Sequence, residues 1–78
     1  MQLSYLLIKT HPGSEHNVGQ ELLKMDTVTN VNLLYGKFDL IVKVETGSQV
    51  ELHEDVLSEI EGITGVTMVK NLLVNHES

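Results

Sequence analysis

The side chains of this chain that could do acid–base or metal chemistry are four histidines, His11, His16, His53 and His76, and the carboxylates Glu51, Glu54, Asp55, Glu59 and Glu61. A histidine pair that grips a metal from a helix needs i, i+4 spacing or an H-E-x-x-H frame. His11 and His16 flank a loop without that spacing, and the frame does not occur. They read as surface side chains. A catalytic carboxylate pair needs two environments that drive its two pKa values apart. The acidic run falls instead on one predicted helix, where it reads as a solvated face whose first members complement the helix N-terminus. Ser4, Ser14, Ser48 and Ser58 lack a nucleophile-elbow context, and no glycine-rich phosphate loop is present. The expectation is no catalytic residue, no metal ligand, no cofactor and no enzymatic activity.

One short stretch does carry recognition chemistry. In Leu33-Leu34-Tyr35-Gly36-Lys37-Phe38-Asp39 a loop separates two strand-like runs and ends on an aspartate. Gly36 permits a backbone geometry or a close approach that a side chain would hinder. Because strand side chains alternate, Phe38 is expected on one sheet face with Leu40, Val42 and Val44. Asp39 is then expected on the other with Ile41 and Lys43. An acid beside covered apolar surface must be paired or hydrogen-bonded. Its partner could be a ligand ammonium, backbone N–H groups of the loop, or a lysine.

The elements that would position this loop follow from periodicity. Gln2–Thr10 is apolar and strand-forming, and His11-Pro12-Gly13 ends it. Ser14 can cap a helix with Val18, Leu22 and Leu23 on one face, ending near Met25. Val28–Tyr35 alternates, with Val31, Leu33 and Tyr35 together and Asn30 and Asn32 opposite. Phe38–Glu45 is a third strand. After Gly47-Ser48 a second helix turns Leu52, Val56, Leu57 and Ile60 inward, and Val66–Asn75 is the last strand. Met25–Val31 aligns with Ile60–Val66 at a constant offset, so each half is strand, helix, strand. Two such units predict an α+β fold: a ferredoxin-like βαββαβ sandwich, a four-stranded antiparallel sheet with both helices on one face. One domain is expected over residues 1–78.

Bulk properties narrow the partners. A net charge of −6 with five scattered lysines and no arginine argues against direct nucleic-acid binding, which needs clustered cations, and against anionic membrane surfaces. No apolar run approaches the ~20 residues of a membrane span, and nothing resembles a signal peptide, so a cytoplasmic location is expected. With 78 residues and no cysteine, the chain has neither a large core nor a disulfide frame. Oligomerisation is the remaining common support. The sheet agrees: strand one presents Leu3, Tyr5 and Leu7 on one face and Leu6 and Ile8 on the other, and strand four presents Met68, Leu72 and Val74 against Val69 and Leu73. Apolar side chains on the face away from the helices predict a covering subunit.

On particular residues the chain resembles the effector-binding RAM domain of the Lrp/AsnC family of transcription regulators. The match is carried by Tyr5-Leu6-Leu7-Ile8-Lys9, Pro12-Gly13, Gly36-Lys37-Phe38-Asp39 (the family's G-x-(Y/F)-D), Leu40-Ile41-Val42-Lys43-Val44, and Ile63-Thr64-Gly65-Val66, close to its "(I/L)PGV" turn. Met1 stands directly before strand one, as in stand-alone RAM proteins without a helix-turn-helix. The resemblance implies homodimers formed through the sheets, assembly into rings (octamers are typical), and an amino acid or related metabolite bound between dimers. Carried over, the ligand-binding residues are Leu33, Tyr35, Gly36, Lys37, Phe38 and Asp39, with Leu72, Leu73 and Val74 from the last strand. Asp39 would hold the ligand ammonium and backbone N–H groups near Gly36 its carboxylate. Two positions depart from the family pattern. Tyr35 replaces a small polar residue and could narrow or fill the pocket; Thr64 replaces a proline. The alternative is a structural adapter that co-assembles with full-length Lrp/AsnC regulators and binds no ligand itself.

Overall fold

The computed structural model describes residues 2–72, apart from the side chains of Gln49 and His53. In β1 (Gln2–Thr10) Ser4, Leu6, Ile8 and Thr10 are buried, while Leu3, Tyr5 and Leu7 on the opposite face are half-buried. β3 (Leu40–Thr46) repeats the pattern, with Leu40, Val42, Val44 and Thr46 buried and Ile41, Lys43 and Glu45 half-buried. These two strands have the strongest period-2 signal, and they take the centre. β1 pairs antiparallel with both β3 and β4 (Val66–Leu72), and β3 pairs with β2 (Val28–Leu33), giving the order β2-β3-β1-β4. The registers Leu6↔Val42 and Val31↔Val42 line the apolar residues up on one face.

Two helical stretches cover that face. α1 (Glu15–Leu23) buries Val18 and Leu22. Leu23, one residue and about 100° further round, is 60% exposed instead of facing the core as expected. Ser14 stands at the N-cap, but its side chain makes no capping bond. The second helical stretch runs through α2 (Gln49–Glu51), a π-helical turn (Leu52–Val56) and α3 (Leu57–Glu61). Its start is held reciprocally: Glu51 N–H donates to Ser48 Oγ at 3.1 Å, and Gly47 N–H donates to Glu51 Oε1 at 2.8 Å, a variant of the capping box. Leu52, Val56 and Ile60 reach the core and join Leu6, Ile8, Val18, Leu22, Val42 and Val44. Burial of each such side chain contributes about 1.5–3 kcal/mol.

The internal duplication is visible in the hydrogen bonds. Val28 N–H donates to Met25 O at 3.1 Å, and the equivalent Ile63 N–H donates to Ile60 O at 3.0 Å. Each turn delivers an apolar residue at the entry to a strand. Gly65 (φ 104°) lies against α1, where an added Cβ would come within 3.0 Å of Ser14 Cβ and 3.1 Å of Val18 Cγ2. Its carbonyl accepts His11 N–H at 2.9 Å, fastening the entry of β4 to the end of β1.

The strands around the central loop are shorter than the sequence predicts. β2 ends at Leu33 instead of Tyr35, and β3 begins at Leu40 instead of Phe38. The cause is a break in the ladder. Extending the register Ile8↔Leu40 would set Asp39 opposite Lys9, yet Asp39 N–H donates to Ile8 O at 2.9 Å. Two consecutive residues then oppose one, as in a bulge, and strict alternation fails there. Phe38 is accordingly half-buried and outside the core cluster, not aligned with Leu40, Val42 and Val44. On the face away from the helices, Leu3, Tyr5, Leu7 and Ile41 form an apolar surface extended by Met68, 53% exposed, and Leu72, 42% exposed. The predicted continuation of β4 through Asn75 lies outside the described residues.

Candidate functional site

The loop from Leu34 to Asp39 is pinned at both ends. Leu34 N–H donates to Asp39 O at 2.8 Å, which closes it, and Asp39 N–H anchors it to β1. The Asp39 carboxylate is held as well: Oδ2 accepts the backbone N–H of Thr10 at 2.7 Å and its hydroxyl at 3.2 Å. Thr10 is buried on the helix-covered face of β1. Asp39 is therefore drawn toward the helical side of the sheet, not onto the open face with Ile41 and Lys43 as alternation predicts. Among the three candidate partners, the one realised within the chain is a backbone N–H, supplied by β1 and not by the loop. On the loop's far side, Lys9 Nζ donates to Lys37 O at 3.0 Å. Gly36 has φ 139°, a region that L side chains rarely adopt.

These constraints hold the loop open over a cavity of about 670 Å³ between α1 and the β2 edge. The floor is apolar, from Val31 and Leu33 of β2 and Leu40 of β3. Leu34, Tyr35, Gly36 and Asp39 form the loop side, and Glu15, His16, Gly19, Gln20 and Leu23 of α1 form the facing wall. Gly19 faces Val31 across the cavity wall, where an added methyl would make only ordinary contact, 3.9 Å from Val31 Cγ1. Tyr35 is 95% exposed, so its ring stands at the mouth and does not fill the space. Leu33 is 59% exposed beyond the reach of the helix that covers Val31. A second hollow of about 750 Å³ lies between the helices, and it contains none of the loop residues.

The predicted site residues therefore divide. Leu33, Tyr35, Gly36 and Asp39 come together at one cavity, while Lys37 and Phe38 belong to the same loop but do not line it. Leu72 sits on β4, at the opposite sheet edge and on the open face, so within one chain it does not meet the loop. Leu73 and Val74 lie outside the described residues. The α1 wall is the part that strand alternation could not reveal. Its signal is a stripe, Glu15, Gly19 and Leu23 at i, i+4 and i+8, beside the core stripe Val18 and Leu22. A leucine and a glycine on that stripe mark it as more than a solvated face.

The lining is electrostatically one-sided. It holds two carboxylates, Glu15 and Asp39, and one imidazole, His16, with no lysine or arginine among the described residues. The described residues include no group of three or more His, Asp or Glu placed to hold a metal ion. No described helix is long and apolar enough to cross a membrane.

Comparison with known proteins identifies the family and the fold. Residues 3–77 match the Lrp/AsnC ligand binding domain. The HTH-type transcriptional regulator FL11 of Pyrococcus furiosus is 31% identical over 78 residues, covering 97% of this chain and 52% of that protein. The chain thus spans about half the length of the curated relatives it matches. Among solved structures, FFRP-DM1 superposes with a TM-score of 0.89 at 31% identity, covering 96% of this chain and all of that one. AsnC of E. coli shares the fold with a TM-score of 0.87 at 18% identity, covering 96% of this chain and 51% of its own. The sheet order and paired helices are those of a ferredoxin-like RAM sandwich. The chain belongs to the Lrp/AsnC family, as a ligand-binding domain of its regulators' type.

Proposed function

We propose that this chain is a small-molecule sensor: it binds an amino acid or a related metabolite at the Gly36–Asp39 loop and couples occupancy to its own assembly, with no catalytic step. The observation that carries this is the open cavity beneath the loop, lined by Gly36 and Asp39 over an apolar floor, with the Tyr35 ring exposed at its mouth. Asp39 Oδ1 has no donor among the described residues, and it is the natural acceptor for a ligand ammonium. Amides of the loop near Gly36 would receive the carboxylate, and the apolar floor would take the side chain.

The apolar sheet face would be covered by a second copy, and dimers joined further into a ring, with eight copies as the family suggests. Leu72 would then reach a neighbouring copy's cavity. A ligand bridging copies shifts the assembly toward whichever state it binds better. Residues 1–78 would act as one effector-binding unit in the cytoplasm, without direct nucleic-acid or membrane contact.

A second reading rests on the Thr10–Asp39 bonds. If Asp39 serves only to clamp the loop to β1, the chain is an adapter that joins full-length Lrp/AsnC regulators and needs no ligand. A thermal-shift screen with the twenty amino acids and related metabolites, repeated on Asp39→Asn, separates the two. Asparagine keeps an acceptor for Thr10 N–H while removing the charge. A specific stabilisation that disappears in the variant supports sensing. No shift at millimolar ligand rejects it and leaves the adapter.

A further inference from the structure

Resting on that placement of the ligand at the loop cavity, we infer that the cavity selects an organic cation, an amino acid with a second positive charge on an aliphatic side chain, and that Glu15 of α1 is the residue that reads the second charge. The lining sets a charge balance. Asp39 and Glu15 bring two negative charges, and no lysine or arginine is among the described residues that line the cavity; the loop-side cations Lys9 and Lys37 meet on the loop's far side, where Lys9 Nζ donates to Lys37 O. A neutral zwitterion leaves both in place. An acidic amino acid adds a third negative charge to a partly desolvated space, where like charges repel strongly. A dibasic amino acid carries a net positive charge and neutralises one of them.

Geometry gives the two carboxylates different tasks. Asp39 is fixed by Thr10 on the loop side, and Gly36 lines the same cavity, where loop N–H groups would suit an α-carboxylate. Glu15 is half-buried on the facing wall, in the first turn of α1, and the apolar residues Val31, Leu33 and Leu40 lie between the two walls. A ligand of that chemistry would place its ammonium and carboxylate at the loop, its methylenes over the floor and its distal cation at Glu15. Gln20 and His16, on the same wall, add acceptors that tolerate an ammonium or a guanidinium. The net charge of −6 on the chain raises the local concentration of cationic ligands further.

Isothermal titration calorimetry on the full chain tests this with lysine, ornithine, arginine, norleucine, glutamate and 1,5-diaminopentane, on the wild type, Glu15→Gln and Glu15→Asp. Lysine or arginine should bind about tenfold or more tighter than norleucine, the energy expected of a charge-assisted hydrogen bond. Glutamate should be weakest. Raising salt should weaken lysine more than norleucine. In Glu15→Gln the lysine-to-norleucine ratio should fall toward one, and Glu15→Asp should restore part of it. Equal binding of norleucine and lysine to the wild type overturns the cation preference while leaving amino-acid sensing intact. An unchanged ratio in a folded Glu15→Gln removes Glu15 from the role. Binding of diaminopentane without any amino acid keeps the cation chemistry and overturns the amino-acid reading; no binding of any compound overturns both.

Discussion

Asp39 Oδ2 accepts both the backbone N–H and the hydroxyl of Thr10, at 2.7 and 3.2 Å, so a side chain of the signature loop completes the end of the central strand. Thr10 is only 6% exposed, so water cannot replace Asp39 freely. Asp39→Ala should lose about 1–3 kcal/mol, the cost of leaving a buried donor unsatisfied. Asp39→Asn, which retains an acceptor, should lose clearly less. Urea unfolding curves of the three proteins measure this, and equal midpoints would show that the bond does not hold the loop.

Gly65 and Gly13 offer a paired comparison. Both have positive φ, 104° and 86°, but a Cβ at Gly65 would press on Ser14 and Val18, whereas at Gly13 it would meet nothing within 4 Å. Gly13→Ala should cost the backbone penalty alone, about 1–2 kcal/mol. Gly65→Ala should cost more, because packing adds to the same penalty. Thermal melts rank them.

Tyr35 is 95% exposed in the single chain. Tyr35→Ala should leave stability within about 0.5 kcal/mol, as for most surface substitutions. Its effect should appear in ligand affinity or in the size of the assembly. A large loss of stability measured on a monomeric form would show that the ring packs inside the fold.

On the open face, Leu72 neighbours Tyr5 in the β1–β4 register. Leu72→Glu should lower the mass measured by light scattering while the circular dichroism spectrum stays that of a folded α+β chain, since moving a carboxylate from water into an apolar contact between copies carries a desolvation cost. An unchanged mass would place the contact between copies elsewhere.

Much of this fold was legible because its strongest signals are local. The alternation in β1 and β3 fixed which side chains form the core, and the repeated turn at Met25–Val28 and Ile60–Ile63 revealed the two halves. The site was only half legible. Tyr35, Gly36 and Asp39 stood out by type, but the side on which Asp39 lies did not, because alternation cannot foresee that its N–H bonds to Ile8 and not Lys9. The facing wall was missed since sequence spacing places residues on a helix without saying what lies beyond it. Glu15, Gly19 and Leu23 acquire meaning only once α1 is seen above β2.

The most direct measurement is an NMR titration of the ¹⁵N-labelled chain with the tightest-binding amino acid, following every backbone amide. Saturable shifts should concentrate in Leu33–Asp39, at Thr10 and along Glu15–Leu23. Shifts absent from these segments, or confined to the opposite sheet face, would contradict a ligand site at the loop cavity.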